Sequence, residues 1–167
     1  MLLLAPFFIM IDPHRKTPDG RIIQGCGHTS LLLNHKERNA IVMKSVSELR
    51  GLDFDSIVCC GTSGLLVAPQ VCEILNKNLI IIRKKNVKSY SSFVVEGVCP
   101  STYVVLDDLV CSGATIKYIR EIMFEEYTYA HCLGVYLYLD PREHSAYGKD
   151  IQHYFKKDTG LDLLNPL

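Results

Sequence analysis

The chain has 167 residues, of which 48% are hydrophobic, enough to bury the core of one domain. Its 18 lysine and arginine residues balance its 18 aspartate and glutamate residues, so the net charge at neutral pH is zero. A chain without net charge has no overall field to attract a polyanion or an anionic membrane surface. We therefore predict a single domain, residues 1–167, with neither nucleic acid nor a membrane as partner.

The first eleven residues are apolar, but they include Pro6 and no basic residue. This run is much shorter than the ~20 residues of a membrane span, and it lacks the basic start and the cleavage site of a signal peptide. We predict that residues 1–11 form a buried strand.

The chain has seven cysteines, no CxxC pair, and several cysteines within apolar runs such as residues 56–60. This usage is typical of free thiols in a reducing compartment, so we predict a cytoplasmic protein. The six histidines are scattered along the sequence, which argues against a structural zinc site.

From residue 36 to residue 139 the chain alternates between helical and strand patterns. The predicted helices are residues 36–49, 65–75 and 114–126, the last with Ile116, Ile119, Ile122 and Met123 facing inward. The predicted strands are residues 56–60, 79–82, 103–106 and 133–139. This alternation predicts an α/β fold with a parallel, doubly wound (Rossmann-like) sheet and helices on both faces.

The remaining segments fit this pattern less well. Residues 83–102 include Gly97 and Pro100 and show no helical period, so we predict a long functional loop there. We place the core at about residues 36–139. The terminal segments, residues 1–35 and 140–167, are predicted to build a small cap beyond one edge of the sheet.

The strongest functional pattern is residues 104–115, in which an apolar strand ends in Asp107 and Asp108 and small or hydroxyl residues then open a helix. Ligands of an open parallel sheet bind at the carboxyl ends of its strands. Free amides at a helix start bind phosphate, with added donors from Ser112 and Thr115. Adjacent carboxylates can accept hydrogen bonds from a ribose diol or hold Mg²⁺ through water. Together these groups describe a site for ribose 5-phosphate.

Residues 104–115 resemble the phosphoribosyl-pyrophosphate (PRPP) signature of type I phosphoribosyltransferases, with Cys111 in a slot that usually holds another small residue. Residues 60–64, Cys-Gly-Thr-Ser-Gly, resemble the loop that binds pyrophosphate in that family. Residues 83–90 resemble the start of the mobile loop of orotate phosphoribosyltransferases, the members most similar to this chain, although a solvated basic hairpin would have the same composition.

The chain departs from the orotate enzymes at three places. Gln24, in a segment with the spacing of their base-binding residues, replaces a lysine, and Ser63 replaces the lysine of the pyrophosphate loop. Tyr90 stands where those enzymes carry a histidine, and Lys88 aligns with their further lysine only after one insertion. These changes affect the expected base more than the expected PRPP donor.

The resemblance implies a phosphoribosyltransferase that moves ribose 5-phosphate from PRPP to a nucleobase, releases pyrophosphate and requires Mg²⁺. An orotate-like acceptor, hence pyrimidine biosynthesis, and a homodimer are the corresponding expectations. The implied catalytic residues are Asp107, Asp108, Lys84 and Lys88. The residues implied for the 5-phosphate are Cys111, Ser112, Gly113, Ala114 and Thr115. Those implied for pyrophosphate are Gly61, Thr62, Ser63, Gly64, Arg83 and Lys85. Mg²⁺ is expected to bind mainly through substrate and water, with Asp107 and Asp108 as its protein ligands.

Three alternatives stay open at this point. The domain could sense PRPP or a nucleotide without catalysis, or it could be an adenine-type transferase, since Cys111 suits both orotate and adenine enzymes better than hypoxanthine-guanine enzymes. It could also be an unrelated doubly wound domain, such as a flavodoxin-like or response-regulator protein. In response regulators, however, the acids gather near the end of the first strand, whereas Asp107 and Asp108 follow a later one.

Overall fold

A computed structural model of the chain describes residues 14–16, 22–24, 27–84, 92–110, 112–141 and 150–165. Within those residues lie seven strands and six helices. The strands are β1 (His14–Lys16), β2 (Ile22–Gln24), β3 (Ser56–Cys60), β4 (Asn78–Ile82), β5 (Val95–Glu96), β6 (Thr102–Asp107) and β7 (His131–Leu137). The helices are α1 (Gly27–Leu33), α2 (His35–Leu49), α3 (Gly61–Leu65), α4 (Ala68–Leu75), α5 (Ala114–Glu126) and α6 (Ile151–Thr159).

Five of the strands form one sheet in the order β5-β4-β3-β6-β7. The pairs β4–β3, β3–β6 and β6–β7 are parallel, and the short edge strand β5 is antiparallel to β4. β1 and β2 form a separate antiparallel pair. The predicted α/β class with a mainly parallel sheet is confirmed.

The side chains of the sheet alternate between two buried clusters, one on each face. Ile57, Cys59, Val104 and Leu106 pack on one face with residues of α2 and α4. The intervening residues, Val58, Cys60, Tyr103 and Val105, pack on the other face with residues of α5 and α6. Burial on both faces explains why these strands read as continuous apolar runs.

Most of the predicted element boundaries agree with the structure. β3 and α5 have the predicted limits, and α2 starts one residue early because the Asn34 side chain accepts hydrogen bonds from two amides of its first turn. β6 extends the predicted strand by one residue at each end, and β7 lies two residues before its predicted limits. The five described cysteines, at positions 59, 60, 72, 99 and 132, are free thiols as predicted.

Two predictions differ from the structure. The predicted helix 65–75 is two helices, α3 and α4, because Pro69 is tolerated only in the first turn of the second. The predicted loop 83–102 contains β5, which the sequence did not indicate. The predicted strand at residues 1–11 lies outside the described residues.

The C-terminal segment corrects the predicted cap for residues 150–165. Ile151 and Phe155 of α6 are fully buried in the same cluster as α5, so this helix covers a face of the sheet. Leu163 then pairs in parallel with Val135, alongside the outer edge of β7. Among the residues described above, each helix is too short or too polar to cross a bilayer.

Asp55 ties β3 to β6 at the amino end of the sheet. Its carboxylate accepts hydrogen bonds from the Ser56 hydroxyl at 2.6 Å and from the amides of Ser101 and Thr102 at 2.7 and 3.1 Å. Burial alone would raise the pKa of Asp55, but these hydrogen bonds and the charge of Lys77 outweigh it and lower the pKa.

We expect Asp55→Ala to reduce the free energy of unfolding by about 1–3 kcal/mol at pH 7, because the amides of Ser101 and Thr102 lose their acceptor. An acid with a lowered folded pKa stabilises the fold above its unfolded pKa of about 3.9, and this contribution is lost as the pH falls through the folded pKa. Urea unfolding from pH 7 to pH 3 should therefore show the difference from wild type shrinking below about pH 4. The exposed Asp53 provides the control, as Asp53→Ala. A difference that is constant with pH would contradict the prediction.

Candidate functional site

The strand order of the sheet reverses at β3, which has β4 on one side and β6 on the other. The carboxyl ends of strands at such a reversal form the usual ligand crevice of an open α/β sheet. A cavity of about 190 Å³ opens there. Its lining residues are Cys60, Ser63, Lys84, Asp107, Asp108, Leu109, Val110, Ser112, Gly113, Ala114, Thr115 and Ile116.

A larger cavity, of about 640 Å³, lies between α5 and α6. It reaches the sheet at Tyr103 and Cys132, the second residues of β6 and β7, and thus at the opposite ends of the strands. Basic and acidic side chains both line it, and it contains none of the predicted site residues. The smaller cavity is therefore the candidate site.

The acid pair stands at the end of β6. Asp107 is only 5% exposed, and its Oδ1 accepts a hydrogen bond from the Asp108 amide at 2.9 Å. The Asp108 Oδ1 in turn accepts one from the Leu109 amide at 2.9 Å. Burial and then the neighbouring Asp108 carboxylate raise the pKa of Asp107, and the charge of Lys84 opposes them. The arrangement favours hydroxyl donors or a cation as the ligand of this carboxyl pair.

The segment after β7 holds the acid pair in place. The amide of Tyr138 donates to the Asp107 carbonyl at 3.1 Å, and the amide of Leu139 donates to the Asp108 carbonyl at 3.3 Å. The buried Tyr138 also donates from its hydroxyl to the carbonyl of Ser63 at 3.3 Å. Tyr138 thus links the acid pair to α3. Sequence reasoning missed it, although its position at the end of a predicted strand was a usable signal.

The loop before α5 is shaped for an anion. Gly113 caps the helix with φ of +71°, a left-handed conformation that glycine adopts without strain, and the Ser112 Oγ accepts from the Ala114 amide at 3.4 Å. The first turn of α5 has no acidic residue, so its free amides and the positive end of the helix dipole are available to a phosphate.

Lys84 reaches the cavity from the end of β4. Gly61 has φ of +78°, and a Cβ added there would lie 2.7 Å from Cε and 3.3 Å from Nζ of Lys84. The lysine side chain therefore lies across Gly61, at the start of α3. Gly64 allows α3 to pack closely on β3, because an added Cβ would lie 2.8 Å from the Cβ of Cys59.

With this geometry defined, comparison with known proteins identifies the fold. No protein-family model matches the chain. The UMP synthase of Leishmania donovani has a TM-score of 0.63 at 18% identity over 90% of this chain, which spans 31% of that longer protein. The orotate phosphoribosyltransferase of Aeropyrum pernix has a TM-score of 0.62 at 18% identity, covering 90% of this chain and 82% of that one. The chain has the type I phosphoribosyltransferase fold.

A curated protein is also similar in sequence. The adenine phosphoribosyltransferase of Petrotoga mobilis is 25% identical over 134 residues, which are 69% of this chain and 78% of that protein. The resemblance predicted from the motif at residues 104–115 is thus confirmed, with neighbours of both the orotate and the adenine kind.

Within this phosphoribosyltransferase fold, most of the predicted site residues that are described meet at one cavity. Those that line it are Asp107, Asp108, Lys84, Ser63, Ser112, Gly113, Ala114 and Thr115. Gly61 borders it through Lys84, and Thr62 and Gly64 lie in α3 beside it. Lys85, Lys88 and Cys111 lie outside the described residues.

Arg83, predicted to bind pyrophosphate, does not line the cavity. Its guanidinium pairs with the Glu96 carboxylate of β5, with Nη2 and Nε at 2.5 and 3.1 Å from Oε1. The sequence carried no signal for this partner, because β5 was not predicted. Arg83 therefore fastens the edge strand to β4 instead of facing the acid pair.

The site residues fit a magnesium ion held mainly by substrate and water. Among the described residues no three potential ligands from histidine, cysteine, aspartate and glutamate cluster together. Mg²⁺ in phosphate-handling sites commonly uses one or two carboxylates, with water and substrate oxygens completing its octahedral shell. Asp107 and Asp108 supply such a pair, and the raised pKa of Asp107 marks a position where added positive charge is favourable.

Proposed function

We propose that this protein transfers the ribose 5-phosphate group of PRPP to a nucleobase nitrogen and releases pyrophosphate. One observation carries the proposal: the acid pair, the phosphate-type loop of α5 and Lys84 line a single cavity at the strand reversal. PRPP carries a diol, a monophosphate and a pyrophosphate on one ribose. A site for PRPP therefore needs these three protein groups at neighbouring positions.

The 5-phosphate is assigned to the loop at Ser112–Thr115, where the amides of the first turn of α5 and the hydroxyls of Ser112 and Thr115 donate hydrogen bonds. Asp107 and Asp108 accept hydrogen bonds from the ribose hydroxyls. These contacts fix the sugar so that C1 faces the incoming base, which removes most of the entropic part of the barrier.

The pyrophosphate is assigned to α3 and Lys84. Displacement at C1 builds positive charge on the sugar and negative charge on the leaving group, so cations beside the leaving group lower the barrier. The ammonium of Lys84 supplies such a charge next to Gly61. A bound Mg²⁺, held through Asp107, Asp108 and water, would supply further charge neutralisation to the pyrophosphate oxygens.

Orotate is the first candidate acceptor. The similarity of the fold to a UMP synthase and to an orotate phosphoribosyltransferase supports it. Adenine is the second candidate, favoured by the curated relative, and it would place the protein in purine salvage. A cytoplasmic homodimer belongs to the same proposal, and the free thiols of the described cysteines agree with a reducing compartment.

Release of pyrophosphate from PRPP, measured with Mg²⁺ and a panel of orotate, adenine, uracil and hypoxanthine, tests the proposal. We expect release with one of the first two bases and loss of release on chelation of the metal. Lys84→Gln should lower the rate by about 100-fold. Lys44→Gln, which changes an exposed lysine of α2, should leave it unchanged. Binding of PRPP without release for any base would instead indicate a sensor domain, and absence of PRPP binding would overturn the proposal.

A further inference from the structure

Arg83 is fixed at three points at the end of β4. Its amide donates to the carbonyl of Val94 at 2.9 Å, and its guanidinium pairs with Glu96. Its carbonyl accepts a hydrogen bond from the Tyr118 hydroxyl at 3.0 Å. The first two contacts join Arg83 to the segment of β5, whereas the third joins it to α5.

The Tyr118 contact links two parts of the site. Tyr118 lies one turn into α5, the helix whose first turn is assigned to the 5-phosphate. Burial, and then the Cys60 thiol and the Glu125 carboxylate, raise the pKa of Tyr118. A phenol is protonated at neutral pH, so the Tyr118 hydroxyl is a hydrogen-bond donor there.

The residue that follows this anchor is Lys84, whose side chain lies across Gly61. The held carbonyl of Arg83 belongs to the planar peptide group that ends at the α-carbon of Lys84. The hydrogen bond therefore fixes the position of the Lys84 backbone relative to α5. It also limits where the Lys84 ammonium can lie relative to that helix. No contact of Arg83 or Tyr118 with the substrate is needed for this effect.

We propose that Tyr118 and Arg83 are positioning residues, which hold Lys84 over Gly61 at a set distance from the phosphate-binding end of α5. The inference rests on the proposed function and deepens it. It assigns to Arg83 a role in orienting the pyrophosphate-binding lysine, in place of a direct contact with pyrophosphate. Residues that do not touch the substrate commonly fix catalytic geometry in this way, by holding the side chains that do.

Tyr118→Phe removes the hydroxyl and keeps the ring, so it tests the inference directly. We expect the affinity for pyrophosphate with Mg²⁺ to fall by about three- to tenfold, as for one lost hydrogen bond, with the affinity for ribose 5-phosphate unchanged. Combining Tyr118→Phe with Lys84→Gln should give no loss beyond that of Lys84→Gln alone, because both act through one ammonium. Tyr129→Phe, at a tyrosine that is 99% exposed, is the matched control.

Either of two results with Tyr118→Phe would overturn the inference while leaving the proposed function intact. One is unchanged pyrophosphate affinity in Tyr118→Phe, and the other is an equal loss for pyrophosphate and ribose 5-phosphate, as a general loss of folding would produce. Independent effects of Tyr118→Phe and Lys84→Gln that simply add would also contradict it. If the wild-type protein binds neither ligand, the proposed function fails, and this inference fails with it.

Discussion

Replacing Asp107 and Asp108 together by asparagine is expected to lower the rate of pyrophosphate release by at least about a thousandfold. Asparagine keeps the size of the side chain but not its negative charge. It therefore cannot match the positive charge that develops on the sugar, and it is a weaker acceptor for the ribose hydroxyls. Steady-state assays of the double variant and of each single variant measure the effect. The single losses should not sum to the double loss, because the two carboxyls act on the same substrate.

The same double variant should remain folded. Asp107 is almost fully buried, and a charge in such a place destabilises the folded state unless it is paired. An asparagine oxygen can still accept the hydrogen bond from the amide at position 108, so we expect thermal unfolding at a temperature no lower than that of wild type. Asp53→Asn, at an exposed position, serves as the control for activity and unfolding. Near-normal turnover of the folded double variant would refute the site assignment.

Gly134→Ala is expected to have the largest effect on stability. Gly134 lies in β7 beside an irregularity in its pairing with β6 and has φ of +152°, a backbone conformation open essentially to glycine alone. An added Cβ would lie 2.6 Å from the carbonyl oxygen of Asp162 and 2.9 Å from the side chain of Leu164. Backbone strain and overpacking together should lower the free energy of unfolding by roughly 2–4 kcal/mol.

Gly134→Ala should lower the stability because the C-terminal segment runs beside β7 at this residue. Val135 donates to the Asp162 carbonyl and accepts from the Leu164 amide, both at 2.8 Å, so the clash cannot be relieved without breaking strand pairing. Thermal unfolding should show a decrease of about 5 °C or more. Gly51→Ala is the matched control, since an added Cβ there has no atom within 4 Å. Equal unfolding temperatures of the two variants would show that the segment does not pack as described.

This edge of the sheet is also connected to the acid pair. The Asn165 side chain accepts from the amide of Leu137 at 2.9 Å and donates to its carbonyl at 2.7 Å. Leu137 is the residue of β7 that pairs with Asp107. Residues 162–165 therefore close the outer edge of β7 at the level of the site, although the sequence placed them in a peripheral cap.

The local features of the fold could be predicted because they depend on neighbouring residues. The limits of β3 and α5 follow from a continuous apolar run and from helical spacing. The motif at residues 104–115 was visible for the same reason, since a strand end, two carboxylates and a helix start are consecutive in the chain. The sequence did not predict the two-residue strand β5 or the burial of α6. A strand this short and a helix near the chain end show too little hydrophobic periodicity to be recognised.

The sequence by itself determined the α/β class, the acid pair and the phosphate-type loop, because each is encoded within one short stretch. Only the tertiary structure decided which partners the described residues Arg83, Lys84 and Tyr118 have. It pairs Arg83 with Glu96, extends Lys84 across Gly61 and brings Tyr118 to a carbonyl 35 residues away. These contacts depend on the order of the strands in the sheet and on the close approach of segments at glycine. Both are set by residues far apart in the sequence, so no short stretch of sequence predicts them.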